Sequence, residues 1–380
     1  NLLRCSARGN TVWVRSPRAV QTSMEEIVGK RNKYFDAVFD SLPGLHGKVV
    51  AITGTTSGTG LVLAATAVKK GAACVILANR ESQRAAANAA VIKALAPSGA
   101  AVKYVPCDLQ SFASVRKAAS EIEALAVQYS GLDVLCCNAG IMAHPDLRTE
   151  DGYDVQMQSN HLSHFLLTTL LPSSLEKGAA ARGEARVIQH SSGARNWRED
   201  LEAKFFRRCE PGTLGGDGMK ASLTRYVMSK LSNAVFALAL HFRLKEKGSK
   251  VKSISCEPGV VGTNLGANLL SAHSNTGSNR CIMSIFGCCL KSFGTPGQTP
   301  ADGTIPLMAS CFGPDTASGD LIMPKDPMKG GGAAMIKPIV GGVEHIVERV
   351  EGKDEHLVVS KQNQTLLWEA SIAATGVNCL

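Results

Sequence analysis

Apolar residues in this chain fall into short unbroken runs, separated by longer stretches with helical spacing. The runs are KVVAIT (48–53), ACVILA (73–78), AVKYVP (101–106), DVLCCN (133–138), RVIQHS (186–191) and KSISCE (252–257). Each has the length of a strand, and continuous apolar character is the mark of strands buried on both faces. Helix-length segments lie between them at 59–70, 82–96, 111–129, 151–176 and 226–247. Strand and helix in strict alternation predict βαβ units with right-handed crossovers. The expected fold class is α/β: a doubly wound, Rossmann-like parallel sheet with helices on both faces, in a single domain. MEEIVGKRNKYFDAVFDSL (24–42) predicts one more helix, ended by Pro43-Gly44. The rhythm breaks over 264–335, which is rich in Gly, Ser and Pro and is expected to be a lid or insertion. KGGGAAMIKP (329–338) reads as a flexible loop.

Composition narrows this picture. With 380 residues, 44% hydrophobic and 19% charged, the chain can bury a sizeable core. Residues 1–23 read as a basic extension, 24–44 as the N-terminal helix and 45–380 as the nucleotide-binding domain, with substrate-side insertions at about 193–225 and 264–335. The net charge of +9 is dispersed and does not interleave with aromatics, which argues against a nucleic-acid partner. The twelve cysteines show no C-x-x-C or zinc spacing and sit mostly in apolar runs, as reduced, buried thiols would. No apolar run approaches the roughly eighteen residues a membrane span requires, which leaves peripheral contact with a membrane or a larger complex open. The stretch before Glu25 carries Arg4, Arg8, Arg15 and Arg18 and no acid. It resembles an organelle transit segment, chloroplast or mitochondrial; a plain basic arm on a cytoplasmic protein is the alternative.

Candidate chemistry gathers where the strands end. The first run leads into TGTTSGTG, which puts Gly54, Gly58 and Gly60 between a strand and a helix. A pyrophosphate must reach backbone N–H groups and the positive end of that helix, and a Cβ there would hold it off. The second run ends in Asn79-Arg80, where an acidic residue would have bound the ribose hydroxyl of NAD. Arg80 suits a 2′-phosphate, so NADP(H) is preferred over NAD(H). Asp108-Leu109, Asn138-Ala139-Gly140, Ser191-Ser192 and Pro258-Gly259 follow the third to sixth runs. LTRYVMSKLSN places Tyr226 four residues before Lys230, on one face of a helix. An ammonium beside a phenol lowers its pKa toward a usable range.

In this order, TGTTSGTG, CDL, NAG, SNHLSHFLLTTLL, SS, YVMSKLSNAVFALAL and PGVVGT resemble the short-chain dehydrogenase/reductase family over roughly residues 47–265. SNHLSHFLL and YVMSKLSN are most similar to its retinol-dehydrogenase-like group, and LLWEAS to that group and to protochlorophyllide reductases. The resemblance implies a catalytic tetrad of Asn160, Ser192, Tyr226 and Lys230, with Ser192 taken before Ser191 by alignment. Asn160 would hold a backbone-bound water that passes protons to Lys230, and Lys230 would also bond the nicotinamide ribose. Thr56, Ser57 and Thr59 join the three glycines at the phosphates, with Asn79 and Arg80 beyond them. Asp108 and Leu109 would meet the adenine, Asn138 to Gly140 the cleft, Pro258, Gly259 and Val261 the nicotinamide side, and Thr263 its carboxamide. The implied activity is carbonyl–alcohol interconversion on a small lipophilic substrate. The alternative is an idle subunit that keeps the fold as a scaffold in an organelle assembly. By analogy, two copies would pair through helices 111–129 and 226–247. His161 and His164 stand three apart with no supporting carboxylate or further His, which reads as a packed or solvated pair and no metal site.

Overall fold

In a computed structural model of the chain, the described residues are 2–7, 10–15, 23–29, 32–197, 200–262, 298–324, 334–337 and 356–378. The strands are β1 (Leu2–Ala7), β2 (Asn10–Arg15), β3 (Val49–Thr53), β4 (Cys74–Asn79), β5 (Ala101–Pro106), β6 (Val134–Cys137), β7 (Ala185–His190), β8 (Val251–Cys256), β9 (Leu321–Pro324) and β10 (Ala334–Lys337). Strands β1 and β2 form a separate antiparallel pair. The other eight make one sheet in the order β10-β9-β8-β7-β6-β3-β4-β5. Seven of them are parallel, and only β10 runs antiparallel, against β9.

Every residue of β3, β4, β6 and β7 is buried, as their unbroken apolar runs require. The helices cover both faces. On one lie α1 (Met24–Val28), α2 (Phe35–Ser41), α3 (Gly58–Lys69) and α4 (Gln83–Leu95), whose apolar faces share a core with Val50, Ile52 and Val75. On the other lie α5 (Phe112–Val127), the paired segment α6 (Val155–Met157) and α7 (Ser163–Leu170), α8 (Pro172–Arg182) and the long α9 (Met219–Glu246). The chain reverses its winding between β3 and β6, which pair with Val50 opposite Val134 and Ile52 opposite Cys136. Ligands of open α/β sheets bind in the crevice above such a switch point.

Where expectation and structure part, side-chain chemistry explains the difference. The 24–42 helix is two short helices, because Gly29 ends α1 at φ 79° and a distant carboxylate starts α2. Asp302 accepts the backbone N–H groups of Lys33, Tyr34 and Phe35 at 2.9 to 3.2 Å. Pro172 opens α8 and splits the 151–176 helix. Of the segment expected as a lid, residues 298–324 belong to the main fold. They form α10 (Pro300–Gly303), α11 (Ile305–Phe312) and β9, which pairs Leu321 with Ser255 and Ile322 with Cys256 of β8. The stretch 334–337, read as a loop, is β10; residues 263–297 and 325–333 lie outside the described residues.

The sequence reading named no element after 338, yet α12 (His356–Val359) and α13 (Lys361–Thr375) close the second face. Trp368 of α13 stacks edge-on to Phe165 at 5.3 Å and lies 5.9 Å from Phe236, while Arg243 sits 3.6 Å over its ring. Arg116 of α5 donates to the Thr375 carbonyl at 2.6 Å. Helix α13 therefore packs on α9, one of the two helices that analogy assigns to pairing.

Candidate active site

The glycine turn after β3 is built by close backbone approach. Gly54 and Gly58 hold φ of 75° and 60°, open to glycine at no steric cost. A Cβ on Gly60 would stand 2.2 Å from the Gly54 carbonyl and 2.4 Å from Asn138 Nδ2. Asn138 ties the turn to the end of β6: Nδ2 donates to the Thr53 and Gly54 carbonyls, and Oδ1 accepts from Thr59 at 3.0 Å. Asn79 braces the other side, with Oδ1 accepting from Thr55 N and Nδ2 donating to Thr55 Oγ1. Thr56 and Ser57 sit half-buried on the turn, and Arg80 is exposed just past β4.

The start of α3 fits a dinucleotide phosphate. Ser23, Ser82, Ser111 and Ser360 cap α1, α4, α5 and α13 with their side chains. Ser57 makes no such bond at the N-terminus of α3, so the first N–H groups of that helix keep their capacity for an acceptor. Asp108 accepts from Gln110 N at 3.0 Å and Leu109 lies beside it, both half-buried past β5.

The four tetrad candidates come together beyond β6 and β7. Tyr226 and Lys230 are each 5% exposed and lie on one face of α9, with Nζ 6.0 Å from the phenol ring centroid. Tyr226 sits two turns inside α9, since the helix begins at Met219. Lys230 Nζ donates to the His190 carbonyl at 2.8 Å. A Cβ on Gly140 would stand 3.2 Å from Lys230 Nζ and 3.3 Å from Asn160 Oδ1, so the side chains of both residues border the same gap. Ser192 Oγ accepts from Ala194 N at 3.3 Å and acts on the Tyr226 phenol to lower its pKa. Ser191 points away and donates to the Lys230 carbonyl at 2.7 Å, which separates the two serines by function.

Burial dominates the electrostatics. It raises the Tyr226 pKa above 10, with the Ser192 bond pulling the other way. Burial outweighs the lowering expected from Lys230, whose Nζ donates to the His190 carbonyl. Burial also brings Lys230 down to about 8. His164 and His190 are pushed down to about 4 and about 3 by burial, so both imidazoles are neutral at pH 7.

Asn160 lies on a π-helical turn, Gln158–Leu162, a form found frequently at functional sites. Its side chain holds Ile141 by both backbone groups, at 2.8 and 2.9 Å, and donates to Ser229 at 2.9 Å. Its carbonyl, which the resemblance gives to a water, accepts from His164 Nδ1 at 3.0 Å. His164 Nε2 meets Thr53 Oγ1 at 2.9 Å, and Thr53 Oγ1 accepts from Ala139 N at 3.0 Å. His164 thus links the Asn160 turn to the glycine turn and to the Asn138–Gly140 loop. In the sequence, only the H-x-x-H spacing on an apolar helix hints at this role. The reading also missed Arg195 and Glu257, a buried ion pair that bridges the Ser192 loop to the end of β8. Past β8, Gln298 Nε2 donates to the Pro258 carbonyl at 2.8 Å, and a Cβ on Gly303 would strike Val261. Gly259 follows at φ 71°. Thr263 lies outside the described residues. Among those residues, no group of three or more His, Cys, Asp or Glu is arranged to hold a metal.

The family described as short chain dehydrogenase matches residues 48–199. Mouse retinol dehydrogenase 14 is 33% identical over 277 residues, covering 70% of this chain and 73% of that protein. The chain belongs to the short-chain dehydrogenase/reductase family. Mouse polyprenol dehydrogenase is 35% identical over 225 residues, 59% of this chain and 63% of its own length. The short-chain dehydrogenase TIC 32 A, chloroplastic, of Brassica napus is 34% identical over 215 residues, 56% of this chain and 64% of its own. A crystal structure of an uncharacterized protein from Mycobacterium paratuberculosis aligns at a TM-score of 0.62 with 26% identity, covering 90% of this chain and 98% of that one. The Rossmann-like dehydrogenase fold and the retinol-dehydrogenase-like kinship expected from the motifs hold. No helix among the described residues of this short-chain dehydrogenase/reductase is long and apolar enough to cross a membrane.

Proposed function

We propose that the chain is an NADP(H)-dependent oxidoreductase that interconverts a carbonyl and an alcohol on a small lipophilic molecule, with Tyr226 exchanging the proton. The supporting observation is the convergence of Ser192, Tyr226, Lys230 and Asn160 on one cleft beside a glycine turn whose helix is left uncapped. Bound NADPH would supply the hydride. Ser192 holds the substrate oxygen against the phenol, Tyr226 gives up its proton, and Lys230 and Asn160 line the path that restores it. Met142, Ala194 and Val227 pack around Tyr226 and make the substrate side of the cleft apolar. Mixing the protein with NADPH and a lipophilic aldehyde should consume the cofactor; binding without consumption overturns the reading.

The preference for NADP(H) rests on Arg80 at the end of β4. Arg80→Ala should weaken NADPH binding about tenfold and leave NADH binding within about twofold, as loss of one exposed charge-assisted contact predicts. Equal losses for the two cofactors in a titration would assign the 2′-phosphate elsewhere. For location, the acid-free basic stretch before Glu25 and the chloroplastic name of the Brassica relative support an organelle. Residues 1–23 fused to a fluorescent protein should carry it into one, and diffuse cytoplasmic signal would refute this.

A further inference from the structure

Arg225 directly precedes Tyr226, and its side chain has no solvent exposure. One guanidinium there gathers three segments. Nη1 donates to the Leu214 and Gly216 carbonyls at 3.1 and 3.0 Å, and Nη2 to the His144 carbonyl at 3.0 Å. Nε lies 3.3 Å from Asp154, whose other oxygen caps α6 at the start of the segment that carries Asn160. Asp146, 3.6 Å from Nη1, accepts the N–H groups of the same two loop residues, Leu214 at 3.0 Å and Gly216 at 2.8 Å. The loop before α9 is therefore held by its carbonyls through Arg225 and by its N–H groups through Asp146. Gly212, Gly215 and Gly216 give that loop positive φ at three places, so its backbone has many alternatives to the pinned form. At its end, Met219 packs with Ala143 and Met142, and Met142 also touches the cluster of Ala194, Tyr226 and Val227. The contacts run without a break from the loop to the reactive phenol.

We propose that Arg225 is a positioning residue that clamps the 207–218 loop onto the loop after β6 and so sets the apolar substrate wall beside Tyr226. Its kinetic readout rests on the oxidoreductase reading, while its structural readout does not. Asp146 holds the loop and pairs with Arg225 but does not adjoin Tyr226; Arg225 holds the loop and adjoins Tyr226. The two residues should therefore fail differently.

The test uses Asp146→Asn and Arg225→Met in the full chain loaded with NADPH. Trypsin should cut after the exposed Arg207 and Arg208 about tenfold faster in both variants, because release of the clamp opens the loop locally. Asp146→Asn should raise KM for a lipophilic carbonyl about tenfold with kcat per bound NADPH within about twofold; Arg225→Met should raise KM and lower kcat about tenfold as well. A merely stabilising ion cluster would lower Tm in both variants and leave trypsin rates, KM and kcat per bound NADPH as in the parent; that result overturns the proposal. Should Arg225→Met fail to fold, Arg225→Lys, which keeps the charge and loses the fork, takes its place. A parent protein that binds NADPH and turns over nothing overturns the oxidoreductase reading alone, and the clamp then stands or falls on the trypsin rates.

Discussion

Tyr226→Phe should bind NADPH as the parent does and reduce a lipophilic carbonyl about 10²- to 10⁴-fold more slowly, the range a positioned general acid supplies. The ring keeps its packing with Ala194, Val227 and Met142, so only the hydroxyl is lost. Its partner Ser192 is half-buried and can turn to water, which limits the stability cost to about 1 kcal/mol. Burial raises the phenol above its ordinary 10, so the proton is in place at neutral pH. Carbonyl reduction should then stay flat across the neutral range and fall only in alkali, while alcohol oxidation, which needs the base, should climb with pH. The same sign applies to stability. The unfolded phenol ionises first, so the contribution of Tyr226 to folding is whole below pH 10 and is lost as pH rises through the higher folded value. Steady-state rates and cofactor fluorescence measured across pH check all three points. A loss of less than tenfold, with cofactor binding intact, would remove Tyr226 from the chemistry. An idle scaffold would bind the cofactor and show no parent rate to lose.

Local pattern made the strands, the glycine turn and the tetrad candidates legible. Each rests on neighbours in sequence: six apolar residues in a row, three glycines between strand and helix, a phenol one turn from an ammonium. What escaped depends on residues far apart. Asp302 starts α2 from 267 residues away, and nothing in the sequence around Phe35 announces that cap. The strand β9 hides in a segment whose glycines and prolines outweigh the four residues Leu321–Pro324. His164 looks like one more buried residue of an apolar helix until Thr53 is brought to its Nε2. Arg225 looks like a surface arginine beside a candidate tyrosine until Asp146 and Asp154 fold in around it. The candidate site was legible as a list of residues. Its supports were not, because a buried polar group is partnered by whichever segment the fold supplies.

Lys230→Met should lose carbonyl reduction by about 10³-fold or more and yet melt no lower than the parent. The lysine is 5% exposed and buried among neutral imidazoles, and its pKa falls from 10.5 to about 8. Holding it charged at neutral pH therefore costs the fold about 3 kcal/mol before its hydrogen bond is counted. That bond, from Nζ to the His190 carbonyl, returns about 1.5 to 3 kcal/mol. Methionine has a similar length and no charge to desolvate. The carbonyl it leaves behind is not orphaned, because Asn233 Nδ2 also donates to it at 3.1 Å. The balance predicts a variant equal to the parent or more stable by up to about 1.5 kcal/mol, which for a chain of this size is a few degrees in Tm at most. The pH dependence fixes the cause. Between about 8 and 10.5 the unfolded lysine holds a proton that the folded one has released, so the parent gains stability as pH rises through that window and the variant does not. Melting curves without added cofactor should show the variant's advantage at pH 7 shrinking toward pH 10. A melting point many degrees below the parent at neutral pH would instead make Lys230 an anchor of the fold. If the advantage holds, the ammonium is kept at a cost to stability, and the reason for keeping it is the phenol one turn away.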